Sequence, residues 1–104
     1  MKISTGKREI LKRKVVECLV GEPEITQVVI FGSFLHSGDP HDMDIAVFQD
    51  GNEKYIPLAM KYRRMLEPVA REIALDVFPL RPSTAENSFL REIKTGEVVY
   101  ERRD

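Results

Sequence analysis

The sequence predicts an α+β fold: an α/β sandwich in which helices pack mainly on one face of a small mixed β-sheet. Three observations carry that prediction. Segments with helical apolar spacing alternate with short β-branched runs in the order helix, strand, strand, helix, strand, helix. The runs at residues 42–48 and 73–80 alternate apolar side chains, so each offers a distinct apolar face. Turn-forming residues at 21–23, 37–40 and 50–52 separate the elements.

Residues 7–20 read as the first helix. Leu11, Val15 and Cys18 share a face, flanked by Ile10 and Leu19. Lys7, Arg8, Lys12 and Arg13 fall largely outside that stripe and read as its solvated side. Gly21 and Pro23 end the helix. Val28-Val29-Ile30-Phe31 is a mostly buried strand that stops at Gly32-Ser33. Residues 34–41 form a loop.

In the second strand Met43, Ile45 and Val47 face one way, and Asp42, Asp44, Ala46 and Phe48 the other. Residues 55–72 read as a helix burying Leu58, Tyr62, Met65, Leu66 and Val69, with a kink or break expected near Pro68. The third strand turns Ile73, Leu75 and Val77 to one face and Ala74, Asp76 and Phe78 to the other. Ser83-Thr84-Ala85-Glu86 has the capping-box pattern, so a helix is expected to start at Ser83. It would turn Phe89, Leu90 and Ile93 inward and stop at Thr95-Gly96. Val98-Val99-Tyr100 adds a last short strand or docks as a tail.

The 104 residues suit one domain, expected over 1–104. Sixteen Lys and Arg against 17 Asp and Glu leave a net charge of −1, which argues against generic nucleic-acid binding. A single cysteine, Cys18, excludes an internal disulfide and a cysteine-paired zinc site, and reads as a small buried apolar residue. The apolar runs fall short of a membrane span, so a cytoplasmic protein without membrane contact is expected.

Three features bear on chemistry. Gly32-Ser33 ends a strand, where glycine admits a phosphate close to the backbone and serine adds a hydroxyl and an N–H. Asp42 and Asp44 lie two apart on a strand, so their carboxylates point to one spot. Asp76 interrupts an otherwise apolar strand, which is costly unless the carboxylate is paired, exposed at a site or bound to metal. Oxygen ligands of this kind suit a hard cation such as Mg²⁺. Two such ions about 3.5–4 Å apart can clamp the attacking and leaving oxygens of a phosphoryl displacement. The opposite reading makes Gly32 a turn residue, Asp42 a strand cap, and Asp44 and Asp76 partners of Arg or Lys. Three neighbouring carboxylates repel unless a cation joins them, which counts against it. His36 and His41 share the loop and read as exposed.

Phe31-Gly32-Ser33, Asp42-Met43-Asp44-Ile45 and Leu75-Asp76-Val77 together resemble the minimal nucleotidyltransferases of the DNA polymerase β superfamily, of the antitoxin type that pairs with HEPN proteins. The resemblance runs over nearly the whole chain, through Phe89-Leu90-Arg91-Glu92-Ile93 and Val98-Val99-Tyr100-Glu101. It implies a nucleotidyltransferase fold. Gly32 and Ser33 would then bind the nucleoside triphosphate, and Asp42, Asp44 and Asp76 would hold two Mg²⁺ ions as catalytic ligands. The loop departs from the family pattern, being shorter and carrying Phe34-Leu35-His36-Ser37-Gly38 in place of an Ala-Arg-Gly-like segment.

The leading functional expectation is a Mg²⁺-dependent transferase that moves an NMP, AMP from ATP, to a hydroxyl. The resemblance implies that this hydroxyl belongs to a HEPN-type helical toxin and that the chain is its antitoxin. The alternative is a catalytically weak or inactive module that neutralises its partner by contact. Homodimerisation stays open. One chain of this length is not expected to cover both sheet faces. Around Phe48 and Phe78 two outcomes are therefore expected: the ends of the chain's own helices or its tail shield the rings, or part of the acid-bearing face remains an apolar patch where a partner docks.

Overall fold

In the computed structural model, which describes residues 2–82 and 87–103, the Ser4 hydroxyl accepts the Lys7 N–H at 3.1 Å and starts helix α1, Thr5–Leu19. Its buried row is Leu11, Val15 and Leu19. Cys18 is only half-buried and Ile10 is exposed. The expected stripe is therefore rotated: the helix rests on its i, i+4, i+8 row, and Ile10, about 100° round from Leu11, faces solvent. What burial Cys18 has pushes its thiol pKa up, which keeps it protonated and inert.

Strand β1, Ile25–Phe31, starts three residues before the β-branched run. It is a central strand. Ladder pairing on both sides, to Phe48 and Glu101, extends Gln27, which propensity alone would not, while Thr26 lies at an irregularity in the β1–β2 register. Strand β2, Asp42–Gln49, and strand β4, Glu97–Glu101, each pair antiparallel to β1, while strand β3, Ala74–Leu80, pairs parallel to β2. The order β3-β2-β1-β4 makes a mixed sheet with β3 and β4 at its edges.

Between β2 and β3 the chain crosses through α2, Tyr55–Met65, and α3, Glu67–Ala70. The single helix expected over 55–72 is broken at Leu66 (φ −89°, ψ 8°). Pro68 has no N–H to offer residue 64, so the α-helical ladder cannot run through this point. Helix α4, Ser88–Lys94, begins where the Asn87 side chain accepts the Leu90 N–H at 2.9 Å. The capping box expected at residues 83–86 lies outside the described residues.

The two strand faces separate as their alternation requires. Met43, Ile45, Val47, Val28, Ile30 and Val77 form the larger core with α1, α2 and α3. Val29, Phe31 and Ala46 form a smaller core with Ile93 of α4, and Phe48 and Phe78 pack beside it. Among the described residues three helices thus share one face and one short helix crosses the other. No helix among the described residues is long and apolar enough to cross a membrane.

Tyr62, fully buried on α2, donates its hydroxyl to Glu24 Oε2 at 3.0 Å. Burial, then Glu24, pushes the phenol pKa up, so the group stays a donor. Tyr62→Phe keeps the ring packing and removes this bond. It is expected to lower stability by about 1–2 kcal/mol in denaturant unfolding.

Candidate active site

Strand register builds the site. Phe31 lies opposite Asp44 across the β1–β2 ladder, and Asp76 lies opposite Asp44 across β2–β3. Phe31, Asp44 and Asp76 therefore run in a line across three strands, and Gly32, the residue after Phe31, lies against the Asp44 carboxylate. Asp42 joins Asp44 on the same face, two residues earlier. Carboxylate oxygens of Asp42, Asp44 and Asp76 all lie within 4.8 Å of one another, a group able to hold a metal ion. No Lys or Arg of the described residues pairs with these three, so the salt-bridged reading of the sequence does not hold.

The electrostatic consequence falls on Asp44. Its pKa is raised to about 6, first by burial, then by the charges of Asp42 and Asp76, a hydrogen bond shared with Asp76, and the charge of Glu92 on α4. Three close carboxylates that no Lys or Arg of the described residues pairs with fit a hard divalent ion.

Gly32 has φ +80°, the left-handed region. A Cβ built there would lie 2.5 Å from Asp44 Oδ2. The sequence suggested that glycine was needed to admit a phosphate; a nearer reason is that the Asp44 carboxylate lies against it. The expected loop at 34–41 also begins differently. Gly32–Leu35 form a 3₁₀ turn anchored by the fully buried Phe34. Ser33 is exposed, and its carbonyl accepts the N–H groups of His36 (3.1 Å) and Ser37 (2.8 Å). His36 and His41 are both exposed.

Two residues near the site carried no sequence signal. Arg8 of α1, expected on the solvated face, is half-buried and donates to the carbonyls of Phe34 and Ser37. Glu92 reaches the triad's field only because α4 folds across this face. That helix also changes the expected apolar patch. Phe78 packs against Phe31 and Phe89, with ring centroids 5.9 and 5.2 Å away, so the centre of the face is covered by the chain itself. Phe48 and Phe78 remain half-buried. Beyond α4 an apolar groove of about 520 Å³ persists, lined by Val29, Phe48, Leu90, Ile93 and Val98.

The shifted pKa gives a signed prediction. Between pH ~4 and about 6 folded Asp44 holds a proton that the unfolded chain, with an ordinary value of 3.8, has lost. Stability of the metal-free protein therefore falls as pH rises through that window. Glu72 works the other way. Its bonds from Lys14 and Lys7 hold it down to about 2, against an ordinary value of 4.5, so its contribution is lost as pH falls through that range. Melting temperature in EDTA is expected to peak at about pH 4–5, between these two windows, and to decline towards pH 7. Added Mg²⁺ should remove the upper decline.

The polymerase beta, nucleotidyltransferase family matches residues 13–104 of the chain. No curated protein matches it in sequence. Solved structures similar to it include the tri-AMPylated Shewanella oneidensis HEPN toxin in complex with MNT antitoxin. There the identity is 18%, the TM-score 0.67, and the match covers 91% of this chain and 73% of that one. The toxin–antitoxin MntA–HepT matches at 18% identity and TM-score 0.64, over 90% of this chain and 73% of that one. A toxin–antitoxin structure with AMP-PNP matches at 19% identity and TM-score 0.67, over 88% and 74%. At these identities the likeness is one of fold.

Proposed function

Because the chain belongs to the polymerase beta nucleotidyltransferase family, we propose that it transfers AMP from ATP to a hydroxyl on a HEPN-type helical protein and acts as that protein's antitoxin in the cytoplasm. The observation that carries this reading is the convergence of Asp42, Asp44 and Asp76 on one spot, with Asp44 and Asp76 paired across β2 and β3 and the Gly32-Ser33 turn following the β1 residue opposite Asp44. The tri-AMPylated toxin and the AMP-PNP complex of structurally similar chains support the choice of nucleotide and acceptor.

Asp42, Asp44 and Asp76 would hold Mg²⁺, which when bound supplies positive charge to the phosphate oxygens as they become more negative. The chain's own part is positional. Gly32 and Ser33, on the β1 side of the acids, receive the triphosphate, with the Ser33 hydroxyl and backbone as donors. Asp76 lies on the edge strand β3 and is only partly buried, so we take it as the acid that meets the incoming acceptor. The acceptor oxygen bonds to the α-phosphorus as the bond from that phosphorus to pyrophosphate breaks. The hydroxyl proton passes to a carboxylate oxygen of Asp76. Holding both reactants on one rigid sheet is the main contribution expected of so small a site.

Isothermal titration tests the first half of this reading. ATP should bind in the presence of Mg²⁺ and not in EDTA, because the phosphates would otherwise meet three carboxylates. Equal binding in both buffers would place the nucleotide away from the acids.

A further inference from the structure

We propose that Arg8 is a positioning residue for triphosphate binding, acting through the turn that carries Gly32 and Ser33; this rests on the functional reading above. Arg8 leaves α1 and reaches residues 26 and 29 positions further along the chain. Its Nη1 donates to the Phe34 carbonyl, and its Nη2 to the Ser37 carbonyl at 3.0 Å. The guanidinium also lies over the Phe34 ring, 5.7 Å from its centroid. A planar fork suits two carbonyls at once, where an ammonium is a point charge.

The brace surrounds Ser33. Ser37, whose carbonyl Arg8 takes, donates its own N–H to the Ser33 carbonyl. Phe34, the next residue, is held at its carbonyl and its ring. In the rest of the segment Ser33, His36 and Gly38 are exposed, and the Asp39 N–H donates to Ser37 Oγ at 3.0 Å. The N-terminal segment also reaches this loop through the Ile3 N–H, which donates to the Gly38 carbonyl at 3.0 Å. Without Arg8 the turn would have to be ordered at the moment of binding, which lowers affinity without altering the groups that react. The acids are unaffected, since they sit on paired strands.

The test uses the full chain and titrates ATP with Mg²⁺, and separately Mn²⁺ alone as a probe of the carboxylates. Arg8→Gln should weaken ATP binding about tenfold, as expected for losing charge-assisted bonds, and leave Mn²⁺ affinity unchanged. The amide protons of His36 and Ser37 should exchange faster. Arg13→Gln removes the same charge from an exposed position of the same helix and should change none of these readings. Arg8→Lys keeps the charge, loses the fork and should resemble Arg8→Gln; if Arg8→Gln does not fold, it decides the question by the same readings. Unchanged ATP affinity in the folded Arg8 variant, or an equal loss in Arg13→Gln, overturns the proposal. Failure of the unaltered protein to bind ATP would overturn the functional reading itself, and this inference with it.

Discussion

Asp44→Asn is expected to lower nucleotidyl transfer by ~10³-fold or more, the scale of losing a preorganised charge at a transition state, while raising the melting temperature in metal-free buffer. Both effects have one cause. Asp44 sits between Asp42 and Asp76 with oxygens of all three within 4.8 Å, and its pKa of about 6 records how poorly a third negative charge is accommodated there. Asparagine keeps the shape and removes the charge. Repulsion is relieved in the empty site, and attraction for a cation is lost in the loaded one. The upper decline in stability between pH ~4 and about 6 should flatten in this variant. Thermal melting in EDTA and a transfer assay with Mg²⁺ read the two effects separately. Undiminished transfer by Asp44→Asn would contradict the role given to the acids.

Gly32→Val is expected to abolish nucleotide binding and to destabilise the fold by roughly 2–4 kcal/mol, combining a strained backbone with overpacking. The residue has φ +80°, where a β-branched side chain is strongly disfavoured. Its Cβ would also lie 2.5 Å from Asp44 Oδ2, so either the turn or the carboxylate must move. Gly32→Ala paired with Asp44→Gly separates these causes. Removing the carboxylate takes away the collision and leaves the backbone strain. If Gly32→Ala costs as much in the Asp44→Gly background as in the unaltered protein, the collision contributes nothing and strain explains the whole loss. Denaturant midpoints for the single and double variants decide between them.

Strand faces were the most legible part of the sequence, because a period of two leaves little choice. Met43, Ile45 and Val47 fall in one core, and Ala46 and Phe48 on the other side with the acids. The candidate site was legible for the same reason: Asp42 and Asp44 share a face by spacing alone. That Asp76 stands directly beside Asp44, and Phe31 on its other flank, depends on strand order and register, which are set by pairing between distant segments. Arg8 was hidden for a related reason. On a helix it reads as one of several surface cations, and only tertiary packing brings the 3₁₀ turn to it. The covering of Phe78 by Phe89 likewise needed the path of α4. The break at Leu66 came two residues before Pro68, since a proline deprives the preceding turn of a hydrogen bond as well as restricting its neighbour.

The central claim is that these acids and the Gly32-Ser33 turn catalyse transfer rather than merely support a binding surface. Intact-mass spectrometry of a HEPN-type partner, incubated with the chain, ATP and Mg²⁺, tests it most directly. The account predicts that the partner gains mass in whole AMP units, with pyrophosphate released in equal number, and that Asp44→Asn gives neither. A partner that is bound and neutralised with its mass unchanged would contradict the account and leave a contact antitoxin in its place.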